Sequence, residues 1–281
     1  MLDSMTLSQR NRYFMAGIAL SSVCLLVALF HMTRLLPLYP ELTGTAVKRI
    51  PGLLQRAAGY FFAVAPQAPF VTASVSIFYS LAASILIYFF FEKTQSPEIL
   101  FFGLFTLSFV FEILRLVMPL RELYGFSGFF LTVGARLLFF GRFFGVLSLF
   151  ASSVYAAGFQ LQKQGTVVAI TAVAALVVSL GIPIDGFSWD TNLVMLSGYT
   201  VVLRLAETSI LVISVLSFFV AAYTRGSREY LGIGLGAFLV CAGRELLINA
   251  DTWLTPVPGF IMLCAGTWLI SAKLHQVYLW L

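Results

Sequence analysis

Eight stretches of about 20 predominantly apolar residues run through this 281-residue chain, the length a helix needs to cross the hydrocarbon core of a bilayer. They fall at approximately 13–35, 70–91, 98–119, 126–157, 166–184, 197–224, 229–249 and 257–280. In lipid, every backbone N–H and C=O must be satisfied within the protein, so such runs fold as helices. The chain therefore reads as an all-α polytopic membrane bundle of about eight transmembrane helices in one domain, 1–281. Composition agrees: 60% of residues are hydrophobic and 10% charged, whereas about a quarter are charged in soluble domains. The fourth and sixth stretches exceed one crossing and leave room for tilt, projection or a break. The fifth, GTVVAITAVAALVVSLGIP, is weak enough that seven spans with a re-entrant segment stay open.

Lys and Arg in loops set orientation, the cytoplasmic side carrying the excess. Arg10 and Arg12 precede the first span, Lys93, Lys163, Arg225 and Arg228 lie in loops on the same face, and the opposite face carries Asp185, Asp190 and Asp251. Both termini are thus expected in the cytoplasm of a bacterial inner membrane. Lys48, Arg49 and Arg56 depart from the pattern, but they flank or lie in PGLLQRAAGYFFAVAP, which reads as an interfacial helix over about 51–64. The first apolar stretch is longer than a signal-peptide core and lacks a small-residue cleavage site, so it is expected to be retained. The chain ends almost inside its last span, with no output domain expected after it.

Nine ionisable side chains interrupt the apolar stretches: Glu112, Arg115, Arg136, Arg142, Arg204, Glu207, Arg244, Glu245 and Lys273. Charges in hydrocarbon are costly and mark a bundle interior or a wet cavity, so all nine are candidate ligand-binding residues. In the expected topology seven of them fall in the outer half of the membrane, with Arg142 and Lys273 deeper. Glu112 with Arg115, and Arg204 with Glu207, are three apart and share a helix face. Three acids cannot neutralise six bases, so a small anionic ligand, a lipid headgroup or snorkelling side chains are expected to balance the remainder. Interhelical salt bridges that bind nothing are the competing explanation. Gly141 with Gly145, and Gly232 with Gly236, form G-x-x-x-G steps suited to close helix approach.

Other chemistry is not indicated. Cys24, Cys241 and Cys264 all lie in apolar stretches without C-x-x-C spacing, and His31 and His275 are far apart, so no disulfide, haem, zinc or other cofactor is expected. No protease motif or phosphate loop occurs, and Cys241, beside Arg244, has only His275 as a prospective base. A net charge of +5 without a basic stripe gives no nucleic-acid surface.

Sliding 98–142 onto 229–273 pairs Glu98 with Glu229, Gly103 with Gly234, Leu104 with Leu235, Gly128 with Gly259, Phe129 with Phe260 and Arg142 with Lys273. About a fifth of the positions are identical, which suggests parallel repeat halves, 1–157 and 158–281. Two similar hairpins of biased composition are the alternative. The hairpins SILIYFFFEKTQSPEILFFGLFTLSFVFEILRL and SVLSFFVAAYTRGSREYLGIGLGAFLVCAGRELL resemble those of bacterial multi-helix sensory modules, the seven-span input regions of receptor kinases and diguanylate cyclases. The resemblance implies a subunit that detects a ligand or membrane state and passes it to a separate output protein. A secondary transporter of a small anion and a structural scaffold are the other readings; a membrane enzyme ranks below them.

Overall fold

A computed structural model describes residues 7–35, 65, 67–92, 94, 96–158, 164–184 and 186–279. Among them are eight helices long and apolar enough to cross a membrane: α1 (Leu7–Leu35), α2 (Ala68–Phe91), α3 (97–124), α4 (Gly128–Ala156), α5 (Gln164–Gly181), α6 (Thr200–Thr224), α7 (Glu229–Ile248) and α8 (Pro256–Leu279). This is an all-α, multi-pass membrane bundle, and its boundaries follow the apolar stretches to within a few residues. The weak fifth stretch is a full helix, which settles the count at eight among the described residues. The segment 51–64, expected to be interfacial, lies outside the described residues.

Of the three options left open for the long spans, a break is not found there. The helices α4 and α6 are continuous, whereas α3 is α-helical over Pro97–Ser108, tightens to a 3-10 helix over Phe109–Leu116, and resumes as Val117–Tyr124. Pro119 supplies a reason, since it has no N–H for the carbonyl four residues back and its ring crowds that carbonyl, at Arg115. The Val117 N–H instead bonds Leu114, three residues back.

Helix ends follow local chemistry. Ser96 caps α3, its side chain accepting from the Ile99 N–H, with Pro97 and Glu98 in the first turn. Gly125 ends α3 at φ +63°, where a glycine adopts left-handed backbone without strain. The carbonyls left over at the end of α2 are met by α1: Arg10 donates to Phe91 O at 2.5 Å and Glu92 O at 3.1 Å, and also to Thr94 O.

The helices alternate in direction, so one end of the bundle holds the start of α1 (the near end) and the other holds the α3–α4, α5–α6 and α7–α8 connections (the far end). α2, α3, α4 and α7 are central, while α1, α5 and α6 turn most of their surface outward. α3 packs along α4, α4 along α5 and α6, and α6 along α7. The closest pair is α7 with α8, because glycines let the backbones meet. A Cβ at Gly243 would stand 2.7 Å from Gly259 O and 2.8 Å from Leu263 N, and one at Gly266 would stand 2.6 Å from Gly236 O. Gly141 and Gly145 make room for Phe111 and Ser108 of α3, whereas Gly232 faces the Lys273 side chain.

These contacts set a test of packing. Gly243→Val is expected to destabilise the bundle by about 1–3 kcal/mol or more through backbone overpacking. Gly165→Ala, which meets nothing within 4 Å, is expected to be neutral or mildly stabilising. Thermal unfolding of both variants in nanodiscs checks the contrast.

Candidate functional site: a charged cavity at the far end

The 3-10 stretch of α3 carries Glu112 and Arg115 into the bundle, where they are 2% and 0% exposed. A 3-10 helix stacks residues three apart, and the Arg115 Nη1 to Glu112 Oε2 separation is 3.5 Å. Arg142 of α4 reaches the same carboxylate from across the interface. Its Nε donates to Oε1 at 2.9 Å and its Nη2 to Oε2 at 3.0 Å, a bidentate pair. Side chains tilt toward the start of their own helix, and α3 and α4 run in opposite directions, so the two residues lean toward each other.

From Arg142 the network continues to α7 and α6. Arg244 Nη2 donates to the Arg142 carbonyl at 3.5 Å and lies 3.7 Å from Glu207 Oε1; its Nη1 holds Glu245 Oε1 at 2.6 Å. Asn249 donates to Glu245 Oε2 at 3.2 Å. Four helices thus share one chain of charge-assisted contacts.

A loop between α5 and α6 roofs this network. Within 186–199, Asp190 Oδ1 accepts from the backbone N–H groups of Asn192 and Val194 at 2.9 Å each, and Trp189 bridges to Met195. The turn places Leu193 at φ +59° with its side chain 1% exposed among residues of α1, α2 and α3. An aliphatic residue in that backbone region is strained, and the apolar burial offsets it. The Asn192 carbonyl receives Arg115 Nε at 2.8 Å, and Thr72 of α2 receives Arg115 Nη1 at 3.3 Å. Arg115 Nη2 and Asn192 Oδ1 are buried without a hydrogen-bond partner.

Beneath the loop is a cavity of about 100 Å³ with walls from α4, α6, α7 and the loop itself. Its charged lining is Arg142, Arg204, Asp190, Glu207 and Glu245, and Asn192 also faces it. Of the nine residues singled out in the sequence, six (Glu112, Arg115, Arg142, Glu207, Arg244 and Glu245) join the network and Arg204 stands at the cavity rim. Arg204 and Glu207 do not pair with each other: Arg204 is exposed and, among the described residues, makes no ion pair. Arg136 is half-buried on α4, its Nε without a partner. Lys273 lies toward the near end, 2.7 Å from Glu229.

Asp190 and Asn192 were not among the nine, because loop polar residues carry no cost that flags them. The Asp-Thr-Asn sequence, an Asx-turn pattern, was the available signal. With Asp190 counted, Arg115, Arg142, Arg204 and Arg244 face Glu112, Glu207, Glu245 and Asp190, so the assembled site is charge-balanced. The excess of cations in the sequence resides in Arg136 and in Lys273, which Glu229 neutralises.

A second polar cluster occupies the near end. Glu98, 2% exposed, takes Arg225 at 3.4 Å and the Tyr230 hydroxyl at 3.3 Å, and Arg225 also donates to Tyr230 and to the Tyr155 carbonyl. It joins α3, α4 and the α6–α7 turn.

No protein-family model and no solved structure matches the chain. An uncharacterized protein of Treponema pallidum (strain Nichols) is 23% identical over an alignment covering 98% of this chain and all of that one.

Burial predicts unequal costs. Glu112→Leu strands two buried guanidinium groups and is expected to cost about 3–5 kcal/mol, whereas Lys273→Ala removes a part-exposed pair and is expected to cost under about 1 kcal/mol. Reversible unfolding in mixed micelles measures both; equal costs would contradict the network.

Proposed function

We propose that the protein is a ligand-recognising membrane subunit, sensory or partner-binding, in a bacterial cytoplasmic membrane. In this reading, which rests on the loop Lys and Arg, both termini are cytoplasmic, the cavity faces outward, and a separate protein receives the signal. The observation that carries this reading is the cavity whose walls belong to α4, α6, α7 and the roofing loop, all tied to one ion-pair network. A ligand there touches three helices and the loop at once, and a ligand that prefers one arrangement of them shifts their relative positions by its differential affinity. The resemblance of the two hairpins to sensory input modules supports the same class.

The ligand is small and polar. A bare anion, the expectation from charge counting, meets three lining carboxylates against two guanidinium groups, one of which Glu112 already holds. Groups that donate hydrogen bonds, or that carry both signs, suit this lining better.

Ser197 lines the cavity without belonging to the ion-pair network, so Ser197→Phe fills the space and leaves the charges in place. In thermal unfolding against a panel of amino acids, phosphomonoesters and dicarboxylates in nanodiscs, a ligand is expected to stabilise the wild type by about 2.7 kcal/mol at a hundredfold excess over Kd. Ser197→Phe is expected to lose that response. Absence of any hit, or an equal response in both proteins, would sink the reading.

Orientation has its own check in a cysteine-free background. A membrane-impermeant maleimide added to intact cells is expected to label Ser188→Cys, exposed at the far end, and to spare Arg228→Cys, exposed at the near end. The reverse pattern would turn the protein over.

A further inference from the structure

We infer that the cavity takes the headgroup of a phospholipid whose phosphate is followed by a primary ammonium, with the acyl chains lying along the outer face of α6. This rests on the reading of the cavity as a ligand site and names its ligand class.

Arg204 and Thr200 belong to two spaces at once. On one side they line the polar cavity; on the other they line a groove of about 410 Å³ on the outside of α6, with Val201, Leu205 and Thr208. Val201 and Leu205 are 78% and 66% exposed, and on a membrane helix such side chains face hydrocarbon. The polar cavity therefore adjoins the lipid phase through Arg204. Arg204 lies four residues into α6, about 6 Å along its axis from the first residue of that helix. An exposed guanidinium there, without an ion pair among the described residues, is suited to bidentate contact with a phosphate.

Beyond Arg204 the lining carries one further guanidinium, Arg142, which Glu112 already holds, and is otherwise acidic. Asp190, Glu207 and Glu245 present carboxylates to the cavity, and Asn192 Oδ1 is a buried acceptor with no partner. A group that follows a phosphate into this space gains most if it is cationic and carries N–H donors. A primary ammonium has three. A trimethylammonium head has charge but no donors, and a glycerol head has donors but no charge. The order along the site, guanidinium at the lipid rim and then acceptors within, is the order phosphate and then ammonium along an ethanolamine phospholipid.

The test uses the full-length protein in phosphatidylcholine nanodiscs doped with phosphatidylethanolamine or phosphatidylglycerol. The lipid retained after mild detergent extraction is measured by native mass spectrometry, and free phosphoethanolamine is assayed in parallel by thermal unfolding. Phosphatidylethanolamine is expected to be enriched at least about tenfold over both other lipids, and Arg204→Gln to abolish the enrichment. Val201→Trp, which fills the outer groove and leaves every charge intact, is expected to abolish it too, while sparing the weaker response to free phosphoethanolamine. Equal enrichment of phosphatidylglycerol would overturn the ammonium, and enrichment unchanged in both variants would overturn the place. Free phosphoethanolamine stabilising as strongly as the lipid would overturn the lipid source. If no lipid is enriched while another solute still gives a response that Ser197→Phe removes, the lipid inference falls and the cavity reading stands. If neither is seen, both fall.

Discussion

The Glu112 carboxylate is the constraint on which the far half of the bundle turns. It is almost fully buried and accepts from Arg142 across the α3–α4 interface and approaches Arg115 within α3. An ion in that position persists only if its partners hold good geometry, since desolvation offsets much of the attraction and a lost partner leaves a bare charge. The need propagates outward. Arg115 requires the Asn192 carbonyl and so pins the roofing loop; the Arg142 carbonyl receives Arg244, which brings in Glu245 and Glu207. The positions of α3, α4, α6 and α7 at this depth are therefore mutually dependent, in contrast to α7 and α8, whose approach is set by glycine backbones.

Much of the architecture was legible in the sequence, because spanning a bilayer demands long apolar helices and leaves hydropathy to mark them. The cost of intramembrane charge likewise marked Glu112, Arg142 and Arg244 before any geometry was known. Three things were not legible. The partner of each charge depends on helix neighbours that spacing alone does not define, so Glu207 was grouped with Arg204 on its own helix and is found facing Arg244 of the next. A break was considered only for the longer spans and is found in α3 near Pro119, because length is a weaker signal than a missing N–H. Asp190 was read only as a loop charge, and without it the charge balance of the cavity was misjudged. Glu98 was read only as a repeat position; its burial with Arg225 and Tyr230 arises from contacts spanning more than 120 positions of chain.

The two ends of the bundle differ in kind. At the near end Arg10 closes the last turn of α2, and Glu98 binds α3 to the α6–α7 turn, although its Oε2 is buried without a hydrogen-bond partner. At the far end the network keeps an exposed arginine, one acceptor (Asn192 Oδ1) and one donor (Arg115 Nη2) without partners, and a small space beside them. What separates the two ends is therefore the space itself: the far-end network borders a cavity with an exposed arginine at its rim.

A density map of the protein in nanodiscs prepared directly from its host membrane bears on this account most directly. A headgroup-shaped feature joining Arg204 to the carboxylates of Glu207 and Glu245, continuous with acyl density past Leu205 and Thr208, is the expected result. A cavity holding only water, with Arg204 turned away into the bulk and the same ion pairs closed around it, would contradict it.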